Sequence, residues 1–259
     1  MLIGVIFINK KLKGNKIMKK KFKDMIFVKG GKYTPHFTDD EKEIYDLEVC
    51  RYLTTQKMWL EVMDCNPSKF EGIYKPVDSV TWWEALEFCN KLSEKYNLEP
   101  VYDLSKKGTL LINQLDGEKI GSDIADFKKT EGFRLPTEVE WNWFARGGQV
   151  AIDKGTFDYK YSGSDNVDEV AWYNKISNAE TQNVGTKKPN QLELYDCSGN
   201  ISEWCFDMDK STKKNKTIYR IIKGGSWFSE ASWCSVLPRF CYNSIYSSKE
   251  IGFRIVRTV

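Results

Sequence analysis

The sequence predicts a single α+β domain with little regular secondary structure, and three observations lead to that prediction. The chain has 259 residues, of which 41% are hydrophobic and 29% are charged, enough for one large core, and no stretch resembles a hinge. Two segments show clear helical periodicity, whereas the strand-like runs are short. Aromatic residues make up 14% of the chain, so we expect long loops held by a dense aromatic core or by bound metal.

In the first half of the chain, the apolar pattern predicts two strands, the second over residues 46–53, together with one short helix and one long helix. The apolar run Met25–Val28 precedes two glycines, which is typical of a buried strand that ends in a turn. Residues 54–62 begin with threonine and have the apolar spacing of a short helix. Residues 79–96 repeat apolar side chains near the helical period, and Ser79 or Thr81 can cap the first turn.

The second half adds a further helix and an insertion. Residues 101–129 are polar apart from one apolar run, so we expect an inserted ribbon or a long loop. Thr137 follows a proline and can cap a helix over residues 138–146, whose acidic first turn suits the positive end of the helix dipole. Gly147 and Gly148 then predict the end of that helix.

The charge distribution and the N-terminus argue against several classes of protein. The net charge of +3 is small, and the basic runs at residues 10–23 and 210–216 are typical of solvated tails and loops. The apolar run at the N-terminus is too short for a membrane span and lacks the order of a secretory signal. We expect a cytoplasmic protein with a disordered extension over residues 1–23, one domain over residues 24–259, and no nucleic-acid partner or membrane span.

The cysteines and the single histidine limit the chemistry. Seven cysteines at irregular spacing predict reduced thiols in a chain of this size. Cys50, Cys89 and Cys205 have apolar neighbours and are expected to be small buried hydrophobes. His36 is the one histidine, which excludes Ser-His-Asp, Cys-His and multi-histidine metal sites unless His36 itself supplies them.

A glycine turn flanked by carboxylates lies at residues 194–204. Asp196 and Glu203 can supply carboxylate oxygens. Two backbone carbonyls between them, those of Gly199 and Ile201, can point inward and complete a set of hard oxygen ligands at the spacing that calcium prefers. The alternative is a glycine turn in which Glu203 pairs with a basic residue, because carboxylate-rich turns without metal are common.

A series of short motifs runs through the chain in a fixed order. They include Asn-Pro-Ser-Lys-Phe at 66–70, Pro-Val-Asp-Ser-Val-Thr-Trp at 76–82, Phe-Arg-Leu-Pro-Thr-Glu-Val-Glu-Trp at 133–141, Lys-Gly-Gly-Ser-Trp at 223–227 and Ile-Gly-Phe-Arg at 251–254. This ordered set resembles the signatures of the formylglycine-generating enzyme family, also called the sulfatase-modifying factor family. The resemblance covers residues 24–259 and implies an irregular α+β fold with a C-type-lectin-like core, usually held by calcium.

The resemblance also implies positions for calcium ligands. A second calcium site of the family would begin at Asn166, although the rest of its ligand loop is shortened here near residues 179–183. The first site of the family falls on Asp196, Gly199, Ile201 and Glu203.

Enzymes of this family oxidise a substrate cysteine with oxygen, using copper(I) held by two thiolates, the soft ligands that copper(I) requires. The motif serine is kept as Ser226, but the two cysteine positions of the family fall on Ser229 and Cys234. The resemblance therefore implies a site that lacks one of the two copper-binding cysteines, and we expect a non-catalytic member of the family. The alternative is an active copper-dependent oxidase acting on a cysteine of a sulfatase-type peptide, with Cys234 and Ser226 as catalytic residues and Cys241 or Cys205 as the second thiolate.

If catalysis is lost, the C-terminal loops remain available for binding. Residues 227–248 interleave aromatic with small polar side chains, as recognition loops do, and they resemble the closing region of lectin-fold variable proteins that retroelements diversify. We expect this surface to bind a protein or a small-molecule ligand, although Trp227 and Phe253 also fit a core role. A third possibility is a structural module tethered by its basic N-terminal segment. The expected ligand-binding residues are Trp227, Phe228, Ser229, Trp233, Phe240, Tyr242, Asn243, Tyr246 and Glu250.

Overall fold

The computed structural model describes residues 22–105, 110–122, 125–209 and 218–259. Within these ranges the regular elements are short: the longest helix has 14 residues and the longest strand has seven. Helices and strands are mixed along the chain, which confirms the predicted α+β fold. The basic loop at residues 210–216 and most of the expected N-terminal extension lie outside the described residues.

The described residues contain twelve strands and five α-helices. The strands are β1 (Met25–Val28), β2 (Gly31–Tyr33), β3 (Lys42–Ile44), β4 (Leu47–Cys50), β5 (Tyr102–Asp103), β6 (Leu111–Asn113), β7 (Lys119–Gly121), β8 (Ser202–Met208), β9 (Tyr219–Lys223), β10 (Phe240–Asn243), β11 (Ile251–Gly252) and β12 (Val256–Thr258). The helices are α1 (Gln56–Leu60), α2 (Trp82–Lys95), α3 (Glu138–Ala145), α4 (Gly148–Asp153) and α5 (Val167–Val170).

The described strands form four small sheets. Their orders are β1-β4-β12, β10-β9-β8-β11, β2-β3 and β5-β6-β7. All pairs are antiparallel except β11 with β8, where Ile251 lies opposite Ser202 and Gly252 opposite Glu203. This parallel pair brings the C-terminal motif of the chain beside the carboxylate-rich turn at residues 194–204.

The main helix, α2, begins with a complete capping box. The Thr81 hydroxyl accepts the backbone N–H of Glu84, and the Glu84 carboxylate accepts the N–H of Thr81. Thr81 is therefore the cap, whereas Ser79 has a left-handed backbone with φ of 61°. The indole of Trp82 is fully buried and donates to the Cys205 carbonyl at 2.9 Å, which fixes the helix against β8.

A second capping box starts α3, with Thr137 as the cap that the sequence predicted. The Thr137 hydroxyl accepts the N–H of Glu140, whose carboxylate accepts the N–H of Thr137 in return. The same Glu140 carboxylate binds Arg134 through two contacts of 2.7 Å. α3 ends before Gly147, and a short further helix, α4, begins at Gly148.

The insertion at residues 101–129 forms a ribbon, as one of the two sequence interpretations proposed. β5, β6 and β7 pair in antiparallel order. Phe127, in the turn after the ribbon, packs edge-on against Phe206 of β8 with ring centroids 4.8 Å apart. The ribbon is therefore attached to the central four-stranded sheet through aromatic contacts.

The core is dominated by aromatic side chains. Trp59 and Phe88 stack with centroids 5.4 Å apart, and Phe88 also contacts Phe253 at 5.3 Å. Phe22, which the sequence places in the N-terminal extension, packs against Tyr96 at 5.5 Å. Among the described helices, none is long and apolar enough to cross a membrane. The three cysteines expected to be buried are so: Cys50, Cys89 and Cys205.

Candidate functional site

The site begins where β9 ends in the Gly224-Gly225 turn. Both glycines have left-handed backbones, with φ of 89° and 71°. A Cβ atom on Gly225 would lie 2.7 Å from the Trp233 carbonyl oxygen and 3.0 Å from the Cys234 sulfur. A side chain does not fit there, because the turn packs directly on the short 3₁₀ helix Ala231–Cys234.

Hydroxyl groups hold the turn that follows these glycines. The Ser226 N–H donates to the Ser229 hydroxyl at 2.9 Å, and the Phe228 N–H donates to the Ser226 hydroxyl at 3.2 Å. The Ser226 hydroxyl in turn donates to Glu250 Oε2 at 3.3 Å. Ser229 thus closes a compact turn at the position where the family pattern has its first copper-binding cysteine.

Aromatic rings from two adjoining segments stand beside this turn. Phe240 and Tyr242 alternate with Cys241 along β10, so they share one face of that strand. Trp233 contacts Phe240 with centroids 4.8 Å apart, and Tyr242 stacks on Tyr246 at 4.9 Å with an interplanar angle of 12°. The four rings therefore form two contacting pairs.

The turn and the rings enclose a pocket of about 200 Å³. Six of its lining residues were predicted as ligand-binding from the sequence: Ser229, Trp233, Phe240, Tyr242, Tyr246 and Glu250. Four others were missed: Ser202, Ile222, Ser248 and Ile251. These four lie on or beside β8, β9 and β11, and their only sequence signal was their position next to the motifs. Ser202, for example, precedes Glu203 in the carboxylate-rich turn.

Three predicted ligand-binding residues do not line the pocket. Trp227 is buried, and its indole N–H donates to the Lys249 carbonyl at 3.0 Å, so it has the core role that the sequence also allowed. Phe228 is 63% exposed on the adjoining surface. Asn243 has a turn role, because its side-chain oxygen accepts the Ile245 N–H and its carbonyl accepts the Tyr246 N–H.

Among the described residues that line the pocket, Glu250 is the only charged one. It precedes β11, and its carbonyl accepts the Ser202 N–H at 2.9 Å, which fixes its backbone to β8. Its side chain is half-buried and accepts the Ser226 hydroxyl. Within the described part of the chain, no lysine or arginine forms an ion pair with this carboxylate.

Cys234 is poorly suited to hold copper(I). It is fully buried among Tyr161, Val170 and Tyr173, and burial raises the pKa of its thiol to about 12. Copper(I) binds the thiolate, so it would have to displace the proton of this buried thiol. The first cysteine position of the family holds Ser229 here, whose hydroxyl already accepts a backbone N–H.

The cysteines considered as replacements lie in other surroundings. Cys241 packs with the core on the opposite face of β10 from the pocket rings Phe240 and Tyr242. Partial burial and a hydrogen bond with Asp209 raise the pKa of its thiol to about 11. Cys205 is fully buried, which raises the pKa of its thiol well above the usual range. The residues present therefore do not fit a two-thiolate copper site, and copper binding stays an untested prediction.

Glu203 pairs with a basic residue, which was the alternative to calcium binding for the carboxylate-rich turn. Both partners are fully buried, and the Arg254 guanidinium binds the two carboxylate oxygens of Glu203 at 3.0 and 3.1 Å. Arg254 also donates to the carbonyls of Cys50, Arg51 and Tyr195. Arg254 thus ties three chain segments to β8, and the Glu203 oxygens are already engaged.

The other expected calcium ligands are partly engaged as well. Asp196 is buried, its carboxylate accepts the Gly185 N–H at 2.8 Å, and burial raises its pKa to about 6. The Gly199 carbonyl accepts the Ile201 N–H at 2.8 Å. Across the described ranges, no group of three or more histidine, cysteine, aspartate or glutamate residues could hold a metal ion. This arrangement offers calcium few free oxygens, and calcium binding stays a prediction.

Asn166, where the second calcium site of the family would begin, caps a helix. Its side-chain oxygen accepts the Asp168 N–H at 3.1 Å at the start of α5. The residue is exposed, and its capping role needs no metal.

Comparisons with known proteins agree with this fold. Residues 12–259 match the Sulfatase-modifying factor enzyme 1-like domain. The chaperone protein LppX of Paenibacillus barcinonensis is 34% identical over 255 residues, which is 91% of this chain and 89% of LppX. The formylglycine-generating enzyme of Thermomonospora curvata is 28% identical over 169 residues, which is 51% of this chain and 52% of that enzyme.

A solved structure gives the same result. Treponema denticola variable protein 1 superposes with a TM-score of 0.72 and 28% identity, over 91% of this chain and 95% of that protein. The family match extends over nearly the whole chain, and the order of motifs read from the sequence predicted it. The chain belongs to the sulfatase-modifying factor family, the family of the formylglycine-generating enzymes.

Proposed function

We propose that this chain is a non-catalytic member of its family that binds a protein partner through the pocket in its C-terminal loops. The aromatic pocket carries the proposal, because it occupies the surface where the family pattern would place copper ligands and has Ser229 in place of a cysteine. Four aromatic rings and three serine side chains line it. Rigid rings combined with small hydroxyl groups are the composition that recognition surfaces use.

Two observations favour a protein partner over a small metabolite. The pocket volume of about 200 Å³ is below the range of roughly 300–1,000 Å³ that is usual for sites of drug-sized ligands, so it suits a single side chain. The relative that is 34% identical over most of the chain is named a chaperone, a class of protein whose ligands are other proteins.

The competing function is copper-dependent oxidation of a peptide cysteine, as the name of the Thermomonospora curvata relative would suggest. The high pKa of the Cys234 thiol and the hydroxyl of Ser229 argue against it. A mass-spectrometric assay separates the two functions. Folded protein supplied with copper(I) and oxygen is expected to leave a Cys-x-Pro-x-Arg peptide unchanged, and formation of the aldehyde would overturn the proposal.

The binding function is tested with a displayed library of linear peptides. Peptides selected on the wild-type chain are expected to lose most of their affinity for a Tyr242→Ala variant, because that change removes one wall of the pocket and the stack with Tyr246. The control is Phe27→Ala on β1, which removes a ring that is 56% exposed, against 39% for Tyr242, and that lies outside the pocket. Failure to select any peptide, or equal losses in both variants, would contradict binding at the pocket.

A further inference from the structure

The described residues that line the pocket carry one negative charge and no positive one. Its ten lining residues include a single ionisable carboxylate, Glu250, and no lysine, arginine or histidine. One oxygen of Glu250 accepts a hydrogen bond from the uncharged Ser226 hydroxyl at 3.3 Å. The neighbouring Lys249 does not neutralise it, because the Lys249 ammonium lies over the Trp227 ring, 5.1 Å from its centroid. A partly buried carboxylate that lacks a cationic partner attracts the positive group of a ligand.

The rings beside Glu250 add to the same preference. Trp233, Phe240, Tyr242 and Tyr246 present π faces and edges around the pocket, and aromatic faces attract ammonium and guanidinium groups. Elsewhere in the described chain such faces are already used: Arg220 lies over Trp82 at 3.8 Å and Lys187 over Trp172 at 4.3 Å. Among the described lysines and arginines, none lies over the four pocket rings.

The surroundings of the pocket suit a side chain presented by a polypeptide. Exposed apolar residues adjoin the lining residues in sequence: Phe228 beside Ser229 and Ile245 beside Tyr246, with exposures of 63% and 70%. Such residues can cover the backbone and the flanking side chains of a bound segment. The volume of about 200 Å³ is large enough for one long side chain.

We propose that the pocket takes the lysine or arginine side chain of a protein partner, with the cationic head at Glu250 and the aliphatic stem between the aromatic rings. This inference rests on the proposed function, since it specifies which side chain the binding surface selects. Serine hydroxyls at the pocket, those of Ser229 and Ser248, can accept the remaining N–H donors of the cation.

Short synthetic peptides test the proposal. The probes are acetyl-Gly-Ser-Xaa-Ser-Gly-amide with lysine, arginine, norleucine, citrulline or glutamate at the central position, titrated against the full chain by calorimetry. The lysine and arginine peptides are expected to bind at least about tenfold more tightly than their neutral counterparts norleucine and citrulline. The glutamate peptide is expected to bind most weakly. Butylammonium, which has the head group without a peptide, is expected to bind at least about tenfold more weakly than the lysine peptide.

Two glutamate variants identify the group responsible. Glu250→Gln keeps the shape of the side chain and is expected to reduce the preference for lysine over norleucine to less than about threefold. Glu230→Gln makes the same change of net charge at an exposed position outside the pocket and is expected to leave the preference unchanged. Before binding is compared, the unfolding free energy of each variant is compared with that of the wild type.

The outcomes separate this inference from the proposed function. If norleucine and lysine peptides bind equally well and Tyr242→Ala weakens both, the pocket binds protein segments without selecting a cation, and this inference is overturned. If butylammonium binds as tightly as the lysine peptide, the assignment to a protein-borne side chain is overturned. If no peptide binds and Tyr242→Ala changes nothing, the proposed function is overturned as well.

Discussion

Two glutamates at the junction of β8 and β11 have opposite surroundings. Glu203 on β8 is fully buried, and both of its oxygens bind the guanidinium of Arg254. Glu250, directly before β11, is half-buried beside a pocket and has no cationic partner in the described chain. The same residue type on the same strand pair thus serves two purposes. A carboxylate with an internal cation stabilises the fold, whereas one without it remains available for a ligand.

Removing the cation from Glu203 is expected to have the largest effect. Arg254→Leu would leave a buried carboxylate and three backbone carbonyls without their donor, and losing one partner of a buried pair costs about 3 to 5 kcal/mol. Urea unfolding at pH 7 measures the change. The control is Arg51→Met, whose pair with Glu193 is exposed and contributes about 0 to 1 kcal/mol. Similar losses in both variants would show that burial does not distinguish the two pairs.

Asp196 provides a buried carboxylate without a lysine or arginine partner among the described residues, and it predicts a dependence of stability on pH. Its folded pKa, raised to about 6 by burial, exceeds the unfolded value of about 3.9. Protonated Asp196 is therefore favoured in the folded state, and stability falls as the pH rises from about 4 to about 6. The fall is up to about 3 kcal/mol, and Asp196→Asn is expected to remove it in unfolding measurements across that range. A wild-type slope in the variant would contradict this assignment.

Calcium sharpens the same measurement. A bound cation would favour ionised Asp196 and cancel the fall in stability, so unfolding curves at pH 7 with calcium and with a chelator test the calcium prediction directly. If calcium binds as predicted, it is expected to raise the thermal midpoint of the wild type by more than about 2 °C and to have no effect on Asp196→Asn. Equal midpoints with calcium and with the chelator would contradict the calcium prediction.

The glycine turn beneath the pocket is expected to be less tolerant than an exposed one. Gly225→Ala places a methyl group 2.7 Å from the Trp233 carbonyl, and such overpacking costs about 1 to 3 kcal/mol beyond the left-handed strain of about 1 to 2 kcal/mol. Gly117→Ala is the control, because its φ of 85° is similar and no atom lies within 4 Å of the added carbon. Equal destabilisation would mean that the turn can move away from Trp233.

The parts of the structure that depend on neighbouring residues were predictable from the sequence. Thr81 and Thr137 each stand three residues before a glutamate, and both form the expected capping boxes. The ordered motifs identified the family, and the aromatic composition after Trp227 indicated the pocket region. Such signals are local, because a cap or a turn is completed within a few residues.

The rest depends on contacts between distant segments. Glu203 meets Arg254 only because β8 and β11 pair in parallel, so the sequence left calcium and a basic partner as alternatives. Ser202 and Ile222 reach the pocket from two strands that the sequence did not connect with the C-terminal loops. Trp227 is the opposite case, a residue that the sequence assigned to the binding surface and the structure does not. It lies in a segment whose composition fits a binding loop, but the residue is buried in the core and donates to the Lys249 carbonyl.

The most direct test of the account measures stability and binding on one variant, Glu250→Gln. Because Glu250 has no cationic partner among the described residues, the unfolding free energy of the variant is expected to stay within about 0.5 kcal/mol of the wild type, while the preference for the lysine peptide over the norleucine peptide disappears. A loss of several kcal/mol would show that Glu250, like Glu203, is a structural carboxylate. Unchanged stability with an unchanged preference would show that its charge does not select the ligand.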